Sequence, residues 1–235
     1  MSEIKELKNL AIIPARGGSK RIPRKNVKLF NGKPIIQYSI TCAIDSKCFN
    51  EIMVSTDDKE IADIAVDLGA KVPFFRSEKT SNDFAGIAEV VNEVLAEYEK
   101  HYMKFENICV ILPTAPFITE DNIKRGFKKI ISKDVEAAIA VVKYSYPIQR
   151  SLVVKGEYIK MNWPENYHKR SQDLEQTFHD AGQFYWIKTE DFLKQGKFFT
   201  DRTSYVEIPE SQVQDIDTEE DWKIAEIKYR ILYEL

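Results

Sequence analysis

The densest chemistry in the chain lies in the run Pro14 to Asn26, which reads PARGGSKRIPRKN. From Leu7 to Ile44 there are eight basic side chains, Lys8, Arg16, Lys20, Arg21, Arg24, Lys25, Lys28 and Lys33, and no acidic one. The whole chain has a net charge of -3, so this positive field is local. Gly17 and Gly18 let the backbone turn sharply and bring N–H groups, with those of Ala15 and Ser19, close to an anion. Arg16 and Lys20 would add charge-assisted bonds to phosphate oxygens. The frame is not that of a P-loop, because Gly18 is followed by Ser19 and then Lys20, and Gly32-Lys33 is followed by Pro34. A dinucleotide fingerprint, G-x-G-x-x-G, is absent. A solvated basic face or an RNA-binding loop is the plainer alternative. The Gly-Gly pair directly after an apolar strand favours a phosphate cradle, with no nucleic-acid partner.

The second chemical feature is Asp215-Ile216-Asp217. Two carboxylates two residues apart in extended chain point the same way and repel unless a cation lies between them. Mg²⁺ accepts one or two carboxylates plus phosphate oxygens, so Asp215 and Asp217 are the metal candidates. The competing reading is an acidic approach to a helix whose first turn already holds Glu219, Glu220 and Asp221. The cationic loop upstream tips the balance to a metal.

The elements that must position these residues alternate. Apolar runs at Leu10–Ala15, Glu51–Ser55, Val72–Phe75, Ile108–Leu112 and Ala137–Val142 read as strands. Between them, helical periodicity begins at Pro34, after Asp57 or Asp58, along Ile87 to Tyr98, and over Thr119–Ile131. This rhythm predicts an α/β fold, a doubly wound, mostly parallel sheet with helices on both faces, whose strand-to-helix loops share one edge. From Tyr144 to His179 the pattern breaks into polar and aromatic chain. It reads as an extended β arm, residues 144–180, inserted in a single domain spanning 1–235. Its exposed Tyr144, Tyr146, Tyr158, Trp163, Tyr167 and Phe178 suit a homodimer contact. Order resumes at Gly182–Ile187 and Ser204–Ile208. A last helix starts at Thr218, where Thr218 and Asp221 fit a capping box.

Composition is that of an ordinary globular protein, 43% hydrophobic and 30% charged over 235 residues. Cys42, Cys48 and Cys109 show no metal spacing and no disulfide framework. The polar stretch Met1–Lys8 does not resemble a leader, and no apolar run is long enough to span a bilayer. The expectation is a cytoplasmic protein without a membrane partner.

PARGGSKRIPRKN closely resembles the N-terminal signature of the CMP-sugar synthetases, the cytidylyltransferases for nonulosonic acids such as sialic acid. The resemblance continues in family order through VSTDD at 54–58, FFRSEKTSNDFAG at 74–86, LPTAP at 112–116, DAGQFYW at 180–186 and QDIDTEEDW at 214–222. RIPRKN, PTAPF and DAGQFYW look most like the pseudaminic acid branch. The resemblance implies a nucleotide-diphospho-sugar transferase-like fold and transfer of CMP from CTP to an acidic nine-carbon sugar, with Mg²⁺. It implies that Arg16 and Lys20 hold phosphates, that Asn26, Arg76 and Asp83 face the nucleotide, and that Asp215 and Asp217 hold the metal. Ser77 and Thr80 stand where the family's Arg-Pro-x-x-Leu segment has Pro and Leu, and Ile87 stands where the sialic acid enzymes use a serine. Leu112 replaces their sugar-contacting glutamine, which suits a deoxy position and pseudaminic acid over sialic, legionaminic or octulosonic acid. Arg170 and Gln172 match an Arg-x-Gln-like segment and would clamp the sugar carboxylate, a role Arg150 could also fill. Two other classes compete. A metal-dependent glycosyltransferase would consume a nucleotide sugar, and a non-catalytic nucleotide-binding module would bind CTP without turnover.

Overall fold

A computed structural model describes residues 8–234. The polar start at 1–7, read above as no leader, lies outside the described residues. The first strand, β1 (Asn9–Pro14), is wholly apolar from Leu10 to Ile13 and buried on both faces, as a central parallel strand requires. It runs into the basic loop, then a two-residue ribbon of β2 (Leu29–Phe30) and β3 (Lys33–Pro34), and helix α1 (Ile35–Ser46). Pro34 therefore ends a strand and stands at the N-cap of α1, one residue before the helix it was expected to open. Next come β4 (Glu51–Ser55), α2 (Lys59–Asp67), the single turn α3 (Glu78–Ser81), α4 (Ile87–Lys100), β5 (Asn107–Ile111), α5 (Glu120–Ile130) and β6 (Ala137–Lys143).

The expected strand at Val72–Phe75 does not form. Only Lys71 bridges Met53, and Pro73 supplies no N–H with which to continue a ladder. The chain instead bends so that Arg76 N donates to Thr56 O at 2.8 Å, which draws Arg76 under the end of β4.

The arm contains a hairpin of β7 (Leu152–Lys155) and β8 (Tyr158–Met161). Cross-strand pairing of Val154 with Ile159 and of Leu152 with Met161 puts these four on one face. Leu152, Val154 and Ile159 are all exposed there. The following strand, β9 (Phe178–Lys188), is longer than the expected Gly182–Ile187. It takes in Phe178, which is half-buried beside the Tyr205 ring and does not join the exposed aromatics of the arm. Helix α6 (Thr189–Gln195), β10 (Thr203–Glu207) and α7 (Glu219–Tyr233) complete the chain, with the Thr218–Asp221 capping box formed as expected.

The six-stranded sheet has the order β10-β6-β9-β5-β1-β4, and β9 alone runs antiparallel. One face is covered by α1, α2 and α5 through Ile36, Ile40, Ile61 and Ile123. Gly126 on α5 is required there, because a Cβ would lie 2.6 Å from Trp186 Cδ1. The other face is covered by α4 and α6 through Val90, Val91, Val94 and Phe192. The sheet is thus doubly wound and mostly parallel, as the alternation implied. A third, smaller core of Ile22, Phe30, Ile35, Phe117, Ile216 and Trp222 sits beside the basic loop. The loop after β1, the end of β4, Leu112, the start of β9 and the segment before α7 all meet at the carboxyl edge of the parallel strands.

Candidate active site

The basic loop is held at its base and open at its crest. Ala15 N donates to Ser55 O at 2.9 Å, fixing the loop's entry against β4. Gly17 N donates to Asp57 Oδ1 at 2.9 Å, and Ser19 N to Gly17 O at 3.1 Å, closing a tight turn. A Cβ at Gly17 would stand 2.7 Å from Asp58 Oδ2, so only glycine lets the loop pass Asp58; Gly18 faces open space. Buried Asn26 donates from Nδ2 to Arg16 O at 2.9 Å, so it staples the loop's two limbs.

The loop's positive charge is largely matched by acids from elsewhere in the chain. Asp83 takes Arg16 Nη1 at 2.8 Å and also Lys20, and the two cations, Lys20 foremost, hold Asp83 below the usual carboxylate range. Asp58 accepts both Nη atoms of Arg24, at 2.5 and 2.9 Å, and its carboxyl is pulled down to about 2 chiefly by that bond. Glu60 shares Arg24. Asp217 Oδ1 takes Arg21 Nη2 at 2.8 Å and lies 3.6 Å from Lys25 Nζ, which donates to Ile216 O at 2.6 Å. Lys28 closes the series on Glu219 and over the Trp222 ring. Six of the eight cations counted in the sequence therefore have an acidic partner, and a field that reads as bare charge is a set of ion pairs.

These pairs bring the sequence-distant features together. Ile22 of the loop and Ile216 between the two aspartates are both buried in the small third core. With Ile216 inward, Asp215 is exposed and Asp217 half-buried, on the opposite side of the chain from the core. Arg76 lies buried below, with Nε on Ser55 Oγ at 3.1 Å and Nη2 on Ser55 O at 2.6 Å; burial lowers its pKa from the ordinary value.

Beside the aspartates a cavity of about 590 Å³ is lined by residues including Leu112, Asp180, Gly182, Tyr185, Asp215 and Lys228. Gly182 has φ +62° at the irregular pairing of β9 with β6 and donates its N–H to Asp180 Oδ1 at 2.8 Å. Tyr185 gives its hydroxyl proton to Asp180 Oδ2 at 2.6 Å, and burial, seconded by Asp180, raises the phenol's pKa. Tyr185 therefore presents a protonated hydroxyl whose lone pairs can accept from a ligand. His179 rests against the Tyr144 ring with Nδ1 beside Asp180 O at 2.9 Å. Asp180, Tyr185 and Lys228 were not among the site residues read from sequence. Their signal was positional: they become neighbours only when β9 reverses beside β5 and α7 packs back.

Arg170 and Gln172 are not brought to this cavity. Arg170 closes on Asp173 at 2.8 and 3.1 Å, both residues on the exposed arm, and Arg150 donates to Lys169 O. Among the described residues no group of three or more His, Cys, Asp or Glu is placed to hold a metal by itself. The Asp215–Asp217 pair still fits a hard cation. Its donors are carboxylate oxygens on either side of buried Ile216, Asp215 on the cavity wall and Asp217 at the basic loop, the hard ligands suited to a cation that completes its shell with phosphate oxygens and water. The three cysteines are free thiols, and burial pushes Cys42 up to about 12. No helix among the described residues is long and apolar enough to cross a membrane.

A doubly wound sheet with a glycine turn and a cationic loop at the carboxyl edge of its first strand defines a nucleotide-binding α/β protein. The chain belongs to the cytidylyltransferase family, whose sequence profile matches residues 10–232. It is 38% identical over 229 residues to a pseudaminic acid cytidylyltransferase of Campylobacter jejuni, covering 97% of this chain and 99% of that one. It is 33% identical over 226 residues to the CMP-N,N'-diacetyllegionaminic acid synthase of Legionella pneumophila, covering 92% and 94%. Among solved structures, a CMP:2-keto-3-deoxy-manno-octonic acid synthetase complexed with CTP superposes with a TM-score of 0.68 at 19% identity, covering 97% of this chain and all of that one. At that identity the likeness concerns the fold.

Proposed function

We propose that the protein transfers CMP from CTP to the anomeric hydroxyl of a nonulosonic acid, pseudaminic acid foremost, and releases pyrophosphate. The observation that carries the reading is the Arg21–Asp217 contact at 2.8 Å, which brings the cationic loop and the carboxylate pair to one edge of the sheet. The 38% identity to a pseudaminic acid cytidylyltransferase supports this choice of sugar. So does apolar Leu112 on the cavity wall, which offers no partner to a sugar hydroxyl.

In the reaction the anomeric oxygen attacks the α-phosphorus in line. The hydroxyl loses its proton to water as the new O–P bond forms, the bond from the α-phosphorus to the α,β-bridging oxygen breaks, and the electron pair leaves on pyrophosphate. The backbone amides of Ala15 to Ser19 and the side chains of Arg16 and Lys20 bind the triphosphate; Asp83 holds those two cations in place until phosphate oxygens replace it. Asn26 fixes the loop, and Arg76 lies under the nucleotide side of the site. Catalysis is then positioning and charge neutralisation. Asp215 and Asp217 would hold Mg²⁺, which supplies phosphate neutralisation and lowers the pKa of a bound hydroxyl. The apolar hairpin face of the arm supports a homodimer, in which a second copy's arm is the route by which Arg170 and Gln172 would reach a sugar. CTP use and three free thiols suit the cytoplasm.

The test is pyrophosphate release by the full chain with CTP and Mg²⁺ and, in turn, pseudaminic, legionaminic, sialic and octulosonic acids. Fastest release with pseudaminic acid is expected. CTP binding without release for any of them would leave a nucleotide-binding module, and turnover of a nucleotide sugar instead would make it a glycosyltransferase.

A further inference from the structure

Between α2 and α4 the chain forms no strand and only the single turn α3. Yet this stretch carries Arg76 and Asp83, which meet the basic loop at two levels. At the loop's base, Ser55 O accepts from Arg76 Nη2 at 2.6 Å and from Ala15 N at 2.9 Å, so the guanidinium and the loop's entry share one carbonyl. At its crest, Asp83 takes Arg16 and Lys20. One helical turn cannot hold itself in water, so the placement of both residues depends on contacts from outside the stretch. A backbone bond from Arg76 N to Thr56 O supplies the first of these.

Glu93, on α4, supplies three more. Its Oε1 accepts from Ser77 N at 2.7 Å, and its Oε2 accepts from Ser77 Oγ at 2.8 Å and from Thr80 Oγ1 at 2.5 Å. Ser77 stands at the N-cap of α3, but its hydroxyl does not cap that turn; it goes to Glu93. Thr80 is only 4% exposed, so its hydroxyl needs a partner inside the protein. The carboxylate itself sits on a helix fixed in the core by Val90, Val91 and Val94. Burial alone would raise the pKa of Glu93. The bonds from Thr80 and Ser77, with the charge of Arg76, outweigh that and keep the carboxyl below its ordinary range. A rigid element thus reaches across with an anion and grips both ends of the turn that separates Arg76 from Asp83.

We propose that Glu93 is a positioning residue for CTP: by gripping Ser77 and Thr80 it fixes Arg76 and Asp83 against the basic loop that binds the triphosphate. The inference rests on the CMP-transfer reading above.

The experiment measures CTP affinity directly, by titration calorimetry with Mg²⁺ and no sugar, in the full wild-type chain and in Glu93→Ala, Glu93→Gln and Thr80→Val. Glu93→Ala should weaken CTP about tenfold, the scale on which groups that orient a ligand's contacts act. KM for pseudaminic acid at saturating CTP should stay within about twofold of wild type. Glu93→Gln should keep most of the affinity, because its amide oxygen still accepts from Ser77 N and its amide nitrogen can donate to the two hydroxyls. Thr80→Val, which keeps the buried shape and removes one bond, should weaken CTP about threefold. A grip that serves folding alone would leave the CTP affinity of the folded variants at the wild-type value, and that result overturns the proposal. A loss of CTP affinity matched by an equal rise in KM for the acid, the sign of general loosening, also overturns it. So does a Glu93→Gln variant as weak as Glu93→Ala. Should Glu93→Ala fail to fold, Thr80→Val decides, and an unchanged CTP affinity there overturns the proposal. Pyrophosphate release by the wild type with the acid tests the underlying reading separately: if CTP binds and none is released, the transfer reading falls while the calorimetry still judges Glu93.

Discussion

Arg16 and Lys20 share one carboxylate, Asp83, and Arg21 and Lys25 share another, Asp217. Arg16, Lys20 and Arg21 are oriented by pairings weak enough to exchange, because exposed ion pairs are screened by water and contribute little to stability. Arg16→Ala should therefore lower kcat/KM about a hundredfold or more, the scale on which a positioned donor to developing charge acts. Its melting temperature should stay within about 2 °C of wild type. A variant with unimpaired turnover would remove the loop from the mechanism. Asp217→Asn should raise the Mg²⁺ concentration at half-maximal rate by about tenfold and weaken Mn²⁺ binding seen by electron paramagnetic resonance in the presence of CTP. A superimposable metal titration would assign Asp217 to the ion pairs alone.

At the scale of elements, Asp58 ties the start of α2 to the basic loop. Its carboxylate caps the helix by accepting from Ile61 N at 3.0 Å and grips Arg24 with both oxygens. Asn caps a helix about as well as Asp but cannot form the ion pair, so Asp58→Asn isolates the Arg24 contact. A carboxyl held at about 2 in the folded chain, against about 3.9 unfolded, stabilises the fold above the unfolded value and loses that contribution as pH falls through the folded one. The stability gap between wild type and Asp58→Asn should thus be full above about pH 5 and close toward about pH 2. It should be no more than about 1 kcal/mol, given how open Arg24 is to solvent. Denaturant midpoints measured across that range check this, and a gap independent of pH would exclude the ion pair as its source.

At the scale of the whole molecule, the arm leaves Leu152, Val154 and Ile159 together on an uncovered face of a two-stranded ribbon. A lone hairpin is marginal in water, and apolar side chains on its outer face are covered most simply by a second copy. Val154→Asp with Ile159→Glu should halve the mass measured by light scattering and leave the far-ultraviolet spectrum unchanged. A monomeric wild type, or a double variant that still dimerises, would make the arm a cover for its own subunit.

The sequence by itself determined the winding of the fold and singled out the loop proposed here for its chemistry. Uninterrupted apolar runs such as Leu10–Ile13 have no stable home except a sheet covered on both faces, and Gly17 beside so many cations has few uses away from an anion. It could not show that Val72–Phe75 fails as a strand, because apolar residues satisfy the pattern whether or not Pro73 leaves a ladder unmade. It could not show that Asp83 and Asp217 already occupy the loop's cations, since charge counted along a chain carries no record of partners 67 and 196 residues away. Only the tertiary structure decided these, and only it brought Lys228, Asp180 and Asp215 to the lining of one cavity. A side chain's partners across a cavity depend on how β9 reverses and α7 returns, and no periodicity local to either element encodes that meeting.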